Sequence, residues 1–459
     1  MKRAPLPFLI LVILMAAALF VPEYGTPIAP GGEFSAGDTA WMLTASGLVL
    51  LMTPGLSFFY GGMVGFKNVV STMLQSVIAL GVMSIVWVVV GFSLAFGDDV
   101  GGYGIIGDPR SFFMLDNVTG ETFSLGRQLE DGSYPLMFTF PAIVFCMFQL
   151  KFAIITPALI TGAFAERVRF SAYLIFMMLF ALVIYCPLAH MTWHPDGLFF
   201  QWGVKDFAGG TVVHMSAGVT ALAAAIFLGR RKSHVARESH TPANIPYVLL
   251  GTGLLWFGWF GFNAGSATGA SALAGDAFAT TNTASAAAML AWIFADWLVG
   301  KRPSALGACI GAVVGLVAIT PAAGFVTVRE SLVIGIIAAV ISNLAVHLRT
   351  KSTLDDTLDV FPCHGLGGIV GMILTGVFAG GVGLTSVGLT GEGAVFGNQM
   401  LALVIATGYT FVAAFVCLFV TNLVCRMRVT DEQELDGLDL SQHGETAMAS
   451  DILSGSDLH

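Results

Sequence analysis

Charged residues divide most of the chain into long apolar stretches. Between Asp38 and Arg426 they bracket eleven such stretches, and each can hold the roughly 20 residues of a helix that crosses a bilayer. The pattern predicts an all-α polytopic membrane protein with eleven transmembrane helices. The stretches are residues 39–66, 68–97, 137–165, 170–190, 209–229, 247–275, 277–299, 303–328, 331–348, 362–391 and 400–425.

The basic residues between these stretches indicate their direction. If the first helix starts outside, most of the basic residues fall in the inner loops. Because basic loops stay on the cytoplasmic side, we expect the N-terminus of the bundle outside and the C-terminus inside. The inner set is Lys67, Arg167, Arg169, Arg230, Arg231, Lys232, Arg237, Lys301, Arg302, Arg349, Lys351, Arg426 and Arg428, and the outer set is Arg110, Arg127, Lys205 and Arg329.

Both ends of the chain differ from this central region. Met1, Lys2 and Arg3 precede an uncharged run that ends at Pro22. A charged start followed by an apolar run is typical of a signal peptide, which we predict over residues 1–25; an uncleaved extra helix is the alternative. Residues 38–428 are the predicted transmembrane domain, and residues 429–459 are a predicted cytoplasmic regulatory tail.

The composition excludes a soluble globular protein. Of 459 residues, 56% are hydrophobic and 11% are charged, whereas roughly 25% are charged in soluble domains. The net charge of -9 argues against a nucleic-acid partner, since no basic patch is available for phosphates. The six cysteines lie in or beside apolar stretches without a C-x-x-C motif, so we expect buried thiols rather than disulfides.

Two glycine-flanked histidines, His214 and His364, suggest an internal repeat. Five predicted helices separate them, and an odd number of helices inverts the second half of a bundle. The spacing predicts two inverted five-helix repeats plus a final helix, with the functional site at the interface between the repeats.

The candidate chemistry favours transport over catalysis. The sequence has no G-x-S-x-G, H-E-x-x-H or phosphate-binding motif, so we predict neither an enzyme nor a cofactor. No third ligand with motif spacing accompanies His214 and His364, which disfavours a metal site. Paired neutral imidazoles can donate and accept hydrogen bonds and take up a proton, which suits a small protonatable solute.

Aromatic residues near the outer helix ends allow two interpretations. Phe152, Trp193 and Phe262 could belong to an interfacial belt, or their ring faces could line one cavity and attract a cation. Lys151 precedes Phe152 within a predicted helix. We expect it either to point away from such a cavity or to be deprotonated by burial.

Five ordered motifs resemble the ammonium transporter (Amt/Mep/Rh) family over most of the chain, from Asp38 to Met448. The acidic tail resembles that of the bacterial Amt branch. The motifs are TPGLSFFYGG at 53–62, GAFAER at 162–167, DFAGGTVVH at 206–214, WFGFNAGS at 259–266 and HGLGG at 364–368.

The resemblance implies a homotrimer in the cell (inner) membrane in which each protomer has its own narrow hydrophobic pore. It also implies that a PII-type signalling protein binds at the cytoplasmic face. By the same resemblance, Trp193, Phe152 and Ser266 match an outer ammonium-binding site, Phe152 and Phe262 a gate, His214 and His364 the pore, and Asp206 a structural aspartate of the vestibule.

We therefore predict an ammonium transporter that takes up NH4+ outside and passes NH3, with the proton relayed separately. One alternative is an ammonium sensor of the same fold that signals through its tail, although the short tail favours transport. A sodium-coupled transporter of larger solutes is a third class, but few carboxylates are available to bind sodium. We expect the carboxylates of the tail to pack under the basic loop that contains Arg230 and Arg237.

Overall fold

The computed structural model describes residues 6–17, 28–238 and 240–447, and within them the chain is mostly helical. Each of the eleven predicted stretches contains a helix. Nine helical segments of the described residues are long and apolar enough to cross a membrane. Two further helices fall outside that count: Ala272–Leu298, which carries several Thr, Ser and Asn residues, and Ala305–Ile319, which is shorter. We use "outer" and "inner" for the two ends of the bundle according to the predicted orientation.

The helices follow the apolar stretches with a few short additions. They are α1 (Leu6–Ala17), α2 (Ala36–Met63), α3 (Val69–Val86), α4 (Phe92–Phe96), α5 (Ala142–Phe164), α6 (Phe170–Phe180), α7 (Cys186–Trp193), α8 (Leu198–Gln201), α9 (Ser216–Leu228), α10 (Lys232–Ala236), α11 (Ile245–Gly265), α12 (Ala272–Leu298), α13 (Ala305–Ile319), α14 (Val328–Lys351), α15 (Leu366–Phe378), α16 (Leu384–Val387), α17 (Phe396–Val424) and α18 (Asp431–Asp436).

Five π-helical turns interrupt or extend these helices. Such turns are rare and often occur at functional sites. They are Trp87–Gly91 between α3 and α4, Ala181–Tyr185 between α6 and α7, Gly210–Met215 before α9, Phe361–Gly365 before α15, and Asp439–His443 in the tail.

Capping side chains begin several of the long helices. At the start of α14, Thr327 accepts a hydrogen bond from the Glu330 N–H, and the Glu330 carboxylate accepts one from the Thr327 N–H. This capping box satisfies two N–H groups that the first turn would otherwise leave unpaired. Single oxygen caps begin α2, α11, α12 and α13 at Ser35, Asn244, Ser271 and Ser304.

Several predicted helix boundaries are wrong. The third stretch begins within a strand, Leu136–Pro141, and the helix of the eighth stretch ends at Ile319, well before residue 328. The sequence places a boundary at Asp276, but α12 starts at Ala272, and Asp276 lies exposed in its second turn. A charge marks a boundary only where the helix ends, and here Ser271 caps the helix earlier. The tenth predicted stretch also ends too late, because α15 ends at Phe378 and residues 379–391 lie outside it.

A small antiparallel sheet covers the outer end of the bundle. Its strands are β1 (Ala29–Pro30), β2 (Thr122–Leu125) and β3 (Leu136–Pro141), in the order β1-β2-β3. Ala29 pairs with Ser124, and Ser124 pairs with Met137. The sheet thereby ties the chain before α2 to the long outer loop.

Close glycine contacts bring the two histidine-bearing segments together at the centre. α9 packs against the π-helical turn Phe361–Gly365. A Cβ atom added at Gly218 would lie 2.1 Å from the backbone nitrogen of Gly365, so only glycine permits this approach. Small residues allow such close crossings where lipid gives helices no hydrophobic drive to associate.

The predicted ends of the chain are only partly described. α1 covers the apolar run of the predicted signal peptide, but residues 18–27, where cleavage is predicted, lie outside the described residues. The division at residue 25 therefore stays a prediction. Residues 448–459 of the predicted tail also lie outside them.

Candidate functional site

His214 and His364 lie side by side in the middle of the bundle. Each is on one of the π-helical turns, and their ring centroids are 5.6 Å apart with an interplanar angle of 27°. Both residues are at least 97% buried. Neither nitrogen of His214, nor Nδ1 of His364, has a hydrogen-bonding partner among the described residues. Buried polar atoms are usually paired, so these nitrogens are available to a small polar solute.

Aromatic rings enclose His214 on the outer side. Trp259 stacks on the imidazole with ring centroids 5.2 Å apart, and Phe262 lies 5.9 Å away at a tilt. The Trp259 indole N–H donates a 2.9 Å hydrogen bond to the Thr320 hydroxyl, which fixes the ring. The histidine pair is therefore surrounded by an apolar wall.

Phe152 and Phe262 form a stacked pair of rings beside His214. Their rings stack with centroids 4.1 Å apart, and both side chains are buried. Trp193 meets the Phe152 ring edge to face at 5.9 Å. These three rings therefore contact one another in a single cluster, which favours a shared site over an interfacial belt.

Ser266 lies one turn beyond Phe262, at the outer end of α11. Its hydroxyl donates a 2.8 Å hydrogen bond to the Phe262 carbonyl. Because this bond uses the only hydroxyl proton, the Ser266 oxygen can offer only lone pairs, which suits a ligand that donates N–H groups.

Asp206 holds the start of the segment that carries His214. Its carboxylate accepts hydrogen bonds from the backbone N–H groups of Gly209, Gly210 and Thr211 at 2.9, 2.6 and 2.7 Å. The Trp193 indole N–H donates to the Asp206 carbonyl at 3.1 Å. Asp206 therefore caps the start of this helical segment and holds the Trp193 ring, while its predicted role in a vestibule stays a prediction.

Asp356 caps the start of the segment that carries His364. The sequence analysis did not identify this residue. Its carboxylate accepts hydrogen bonds from the Val360 and Phe361 N–H groups at 3.1 and 2.7 Å. Asp206 lies eight residues before His214, and Asp356 lies eight residues before His364. That repeated Asp-x7-His spacing is the sequence signal that could have identified Asp356.

Lys151 is excluded from the aromatic site by helix geometry. It is half-buried and shares one stripe of α5 with Ile143 and Met147, whereas Phe152, the next residue, is fully buried against Phe262. Successive helix residues differ in direction by about 100°. Of the two expectations for Lys151, the structure supports the one in which it points away.

A buried ion-pair network lies at the inner end of the bundle. Arg231 pairs with Glu166 at 2.6 Å and with Asp355 at 2.9 Å. Burial acts to raise the pKa of the Asp355 carboxyl, but the hydrogen bonds from Arg231 and the charge of Arg167 outweigh it and hold that pKa well below its usual value. Arg231 and Glu166 border an inner cavity of about 1370 Å³. Most of the charged residues in its lining are basic and include Lys67, Arg230, Lys232, Arg237, Arg349 and Lys351.

The tail packs against this inner face, as the sequence analysis predicted. Lys232 pairs with Asp431 at 2.7 Å, and the Glu434 carboxylate accepts a hydrogen bond from the Lys232 N–H. Asp439 accepts hydrogen bonds from the Val70 and Ser71 N–H groups at 3.0 and 2.7 Å and so caps the start of α3. The expected contact between tail carboxylates and the basic loop is confirmed.

A turn at Gly437 allows this docking. The residue adopts a φ of +94°, and a Cβ atom there would lie 2.4 Å from the Cβ of Lys67. Both the conformation and the close approach require glycine.

The described residues contain no group of three or more His, Cys, Asp or Glu side chains that could hold a metal ion. His214 and His364 are therefore not joined by a further ligand of these types within that part of the chain.

Comparison with known proteins identifies similar sequences over nearly the whole chain. The model of the Ammonium Transporter Family matches residues 40–448. A protein of Mycobacterium tuberculosis named "Ammonium transporter" is 43% identical over 442 residues, which cover 92% of each chain. One of the same name from Bacillus subtilis is 45% identical over 419 residues, which cover 90% of this chain and 98% of the relative.

Solved structures agree with this match. The crystal structure of Saccharomyces cerevisiae Mep2 superposes with a TM-score of 0.78 at 32% identity, covering 90% of this chain and 94% of Mep2. A structure titled "Sensor Amt Protein" also superposes with a TM-score of 0.78, at 29% identity, covering 89% of this chain and 98% of that one.

Proposed function

The chain belongs to the ammonium transporter family, and we propose that it takes up ammonium at an outer aromatic site and passes ammonia through a hydrophobic pore lined by His214 and His364. The family and its apolar helices make it a multi-pass membrane protein that transports ammonium.

One observation carries the proposed mechanism. The rings of Trp193, Phe152, Phe262, His214 and His364 follow one another with centroid separations between 4.1 and 5.9 Å. The only polar side-chain atoms of this ring column below Trp193 are the imidazole nitrogens. A column of this kind suits a small solute that sheds its charge before it reaches the histidines.

The outer site binds the ammonium ion. The ring faces of Trp193 and Phe152 attract a cation without a fixed negative charge that would retain it too tightly. The Ser266 oxygen accepts one N–H of the ion. The stacked rings of Phe152 and Phe262 then act as the gate and must separate for each passage.

The pore passes ammonia rather than the ion. Beyond the gate a bare ammonium ion would lose its hydration, and two neutral imidazoles could not replace it, so the cost would be many kcal/mol. Neutral ammonia avoids that cost and can hydrogen-bond to the free nitrogens of both histidines. The histidines also offer a route along which the proton can follow separately.

The chain crosses the inner membrane eleven times, with the N-terminus of the bundle outside and the tail inside. The repeated Asp-x7-His unit, with its cap and π-helical turn, supports two inverted repeats. A Gly-flanked broken helix in corresponding places of two halves is typical of transporter binding sites.

The assembly is a homotrimer in which each protomer has its own pore. The ring column uses residues of one chain only, which supports a separate pore in each copy. A PII-type signalling protein binds the inner face, where the tail and the basic loop form one docked surface.

An ammonium sensor of the same fold is the second candidate. It is favoured by the structural likeness to the protein titled "Sensor Amt Protein" and by the docked tail, which could report an occupied site to a partner. A sensor would bind ammonium at the outer site but conduct little.

Reconstitution separates the two candidates. The purified protein in liposomes is given an ammonium pulse, and the current and the pH inside the vesicles are recorded. Transport predicts a sustained, protein-dependent response that saturates with ammonium concentration. Saturable binding without sustained flux would establish the sensor instead.

A further inference from the structure

A second pair of histidines lies at the outer end of the bundle, outside the ring column. His190 is on α7, and His194 follows the last residue of that helix. Their rings stack with centroids 4.6 Å apart and an interplanar angle of 11°. Both side chains are at least 97% buried. The proposed transport path does not use either ring, although Trp193 lies between them in the sequence.

The His190 ring faces two hydrogen-bond acceptors. Its Nδ1 lies 3.1 Å from the Ala95 carbonyl oxygen, and its Nε2 lies 3.2 Å from Oδ1 of Asp99. The Asp99 side chain is only 1% exposed, and its Oδ2 has no hydrogen-bonding partner among the described residues. Neither a carbonyl oxygen nor a carboxylate can donate a hydrogen bond. Each of the two bonds therefore requires a proton on the imidazole.

A neutral His190 cannot satisfy both acceptors, because a neutral imidazole carries one N–H group. With one proton, the ring donates to either Ala95 or Asp99 and turns a bare nitrogen towards the other. With two protons, it donates to both, and its positive charge faces the carboxylate of Asp99. The number of hydrogen bonds that hold His190 thus depends on whether it binds a second proton.

The surroundings of His194 make His190 the better acceptor for that proton. Nδ1 of His194 accepts a hydrogen bond from the Asp196 N–H at 3.2 Å, so a proton on this nitrogen would break an existing bond. The Asp196 carboxylate lies 3.9 Å from Nε of Arg127. Among the described residues, Asp99 is the carboxylate that contacts His190, and Asp196 lies beside His194.

The main elements packed against α7 add no other acidic group. They are α4, α8 and the π-helical turns Ala181–Tyr185 and Gly210–Met215. Neither α4 nor α8 carries an ionisable side chain. In the two turns, the Tyr185 ring contacts Trp87 and the His214 ring contacts Trp259.

His190 holds the helix end that carries Trp193. Trp193 is the last residue of α7 and lies three residues after His190. Ala95 is on α4 and Asp99 follows that helix, so the His190 ring joins the end of α7 to its neighbour. The same helix end is also held by the hydrogen bond from the Trp193 indole to the Asp206 carbonyl. The position of Trp193 therefore depends in part on the bonds of His190.

We propose that His190 and Asp99 are positioning residues for Trp193, and that a second proton on His190 strengthens ammonium binding at the outer aromatic site. With both bonds formed, α7 holds Trp193 against Phe152. With one bond, the helix end is held less firmly, and the contact of the rings that attract the cation weakens. The inference rests on the proposed role of Trp193 in ammonium binding. It concerns affinity, because neither His190 nor Asp99 belongs to the ring column.

The variant Asp99→Asn separates a bond that needs the second proton from one that does not. Its amide N–H can donate to Nε2 of a neutral His190, while Nδ1–H donates to Ala95, so both bonds form at any pH. The variant Asp99→Ala leaves only the bond to Ala95. Half-saturating ammonium concentration and maximal current are measured in liposomes with a fixed internal pH. The external value is varied between about pH 5 and pH 8, the range in which histidine titrates.

The wild-type half-saturating concentration should rise several-fold from the acid to the alkaline end of this range. Asp99→Asn should keep the low value throughout, and Asp99→Ala should keep the high one, without matching changes in maximal current. Asp108→Asn is the control and should follow the wild type, because this carboxylate of the same loop pairs with the exposed Arg110. A wild-type pH profile in Asp99→Asn, or a wild type without pH dependence, would overturn the proposal.

Hydrogen exchange tests the same bonds without reference to ammonium. The His194 N–H donates to the His190 carbonyl at 3.1 Å, at the end of α7. Peptides that span this bond are compared between wild type and Asp99→Asn at the same pH, which cancels the effect of pH on intrinsic exchange. We expect faster exchange in the wild type at alkaline pH and equal exchange at acid pH.

The two measurements distinguish failure of this inference from failure of the proposed function. Equal exchange of wild type and Asp99→Asn at both ends of the pH range would overturn the role of His190 and Asp99. The expected exchange pattern without any change in half-saturation would instead support their hold on α7 and show that ammonium does not bind at Trp193. The proposed outer site would then be wrong.

Discussion

Asp206 and Asp356 each lie eight residues before a pore histidine, and each caps the π-helical turn that carries it. The two carboxylates accept five backbone hydrogen bonds between them. They fix where two broken helices begin, and so they fix the separation of the imidazole rings. The arrangement of the two histidines thus depends on two carboxylates that are not part of the ring column.

Trp193 should determine the apparent affinity for ammonium. Trp193→Leu removes a cation–π contact of roughly 0.5 to 2 kcal/mol, so the half-saturating concentration should rise several-fold with little change in the fold. Trp202→Leu is the matched control, because Trp202 packs on Phe199 outside the ring column. Concentration-dependent currents in liposomes measure both. An unchanged half-saturation for Trp193→Leu would mean that Trp193 is only part of the interfacial belt.

The docked tail should control transport or partner binding. Truncation after Met427 removes the contacts of Arg428, Glu434 and Asp439 with the inner face. We expect altered currents, or loss of PII-type protein capture from cell extract. The regulatory role is wrong if neither responds.

A single substitution tests whether Asp439 holds the tail against the inner face. Asp439→Ala uncaps α3 and should expose the tail to protease, whereas Asp436→Ala alters an exposed carboxylate at the end of α18 and should not. Equal protease resistance of the two variants would show that Asp439 does not hold the tail.

The Asp355–Arg231 pair should make the inner face sensitive to acid. The folded state lowers the pKa of Asp355 below its unfolded value, so the pair contributes stability above about pH 4 that is lost as the pH falls further. Asp355→Asn should lower stability by roughly 3 to 5 kcal/mol near neutral pH, because it leaves the buried Arg231 partly unpaired.

Thermal unfolding in detergent between pH 7 and pH 3 measures this effect. The wild type should lose more stability over that range than Asp355→Asn. Asp431→Asn is the control, since its pair with Lys232 is exposed and should add little. Parallel pH profiles for wild type and Asp355→Asn would contradict the assignment.

The sequence predicts the eleven apolar stretches because charges interrupt a strongly apolar chain, and glycine-flanked motifs identify the histidines. It does not show which rings share a cavity. Helix α5 is apolar around nearly its whole circumference. The periodicity of its sequence therefore does not show which side of the helix, the one with Phe152 or another, faces the site. Only the tertiary fold brings Phe152 on α5 between Phe262 on α11 and Trp193 on α7.

Charged residues predict the ends of the helices less reliably than they predict the number of apolar stretches. Asp276 was predicted to end a helix, whereas the Ser271 cap determines where α12 starts. Asp355, Asp356 and Asp359 occur together, and charge alone does not distinguish the one that caps the His364 turn. In both places a capping hydrogen bond determines where the helix begins, and the hydropathy of the sequence contains no information about such bonds.

Replacing either pore histidine with aspartate should change the ion selectivity. His214→Asp or His364→Asp places a fixed negative charge in the lumen, which compensates a desolvated cation and should admit potassium. Potassium-driven currents in liposomes should rise well above those of the wild type. His347→Asp, on α14 outside the ring column, is the control and should not raise them. Potassium currents that stay at the wild-type level in both pore variants would contradict a barrier set by desolvation.

The most direct test of deprotonated passage compares ammonium and potassium in the wild-type protein. Liposomes from one preparation are exposed to equal gradients of either ion, and currents are recorded against protein-free vesicles. The mechanism predicts a clear ammonium response and a potassium response at the protein-free background, since potassium has a similar size but no proton to give up. A wild-type protein that conducts potassium as readily as ammonium would contradict it, because a pore that selects by size alone does not need deprotonation.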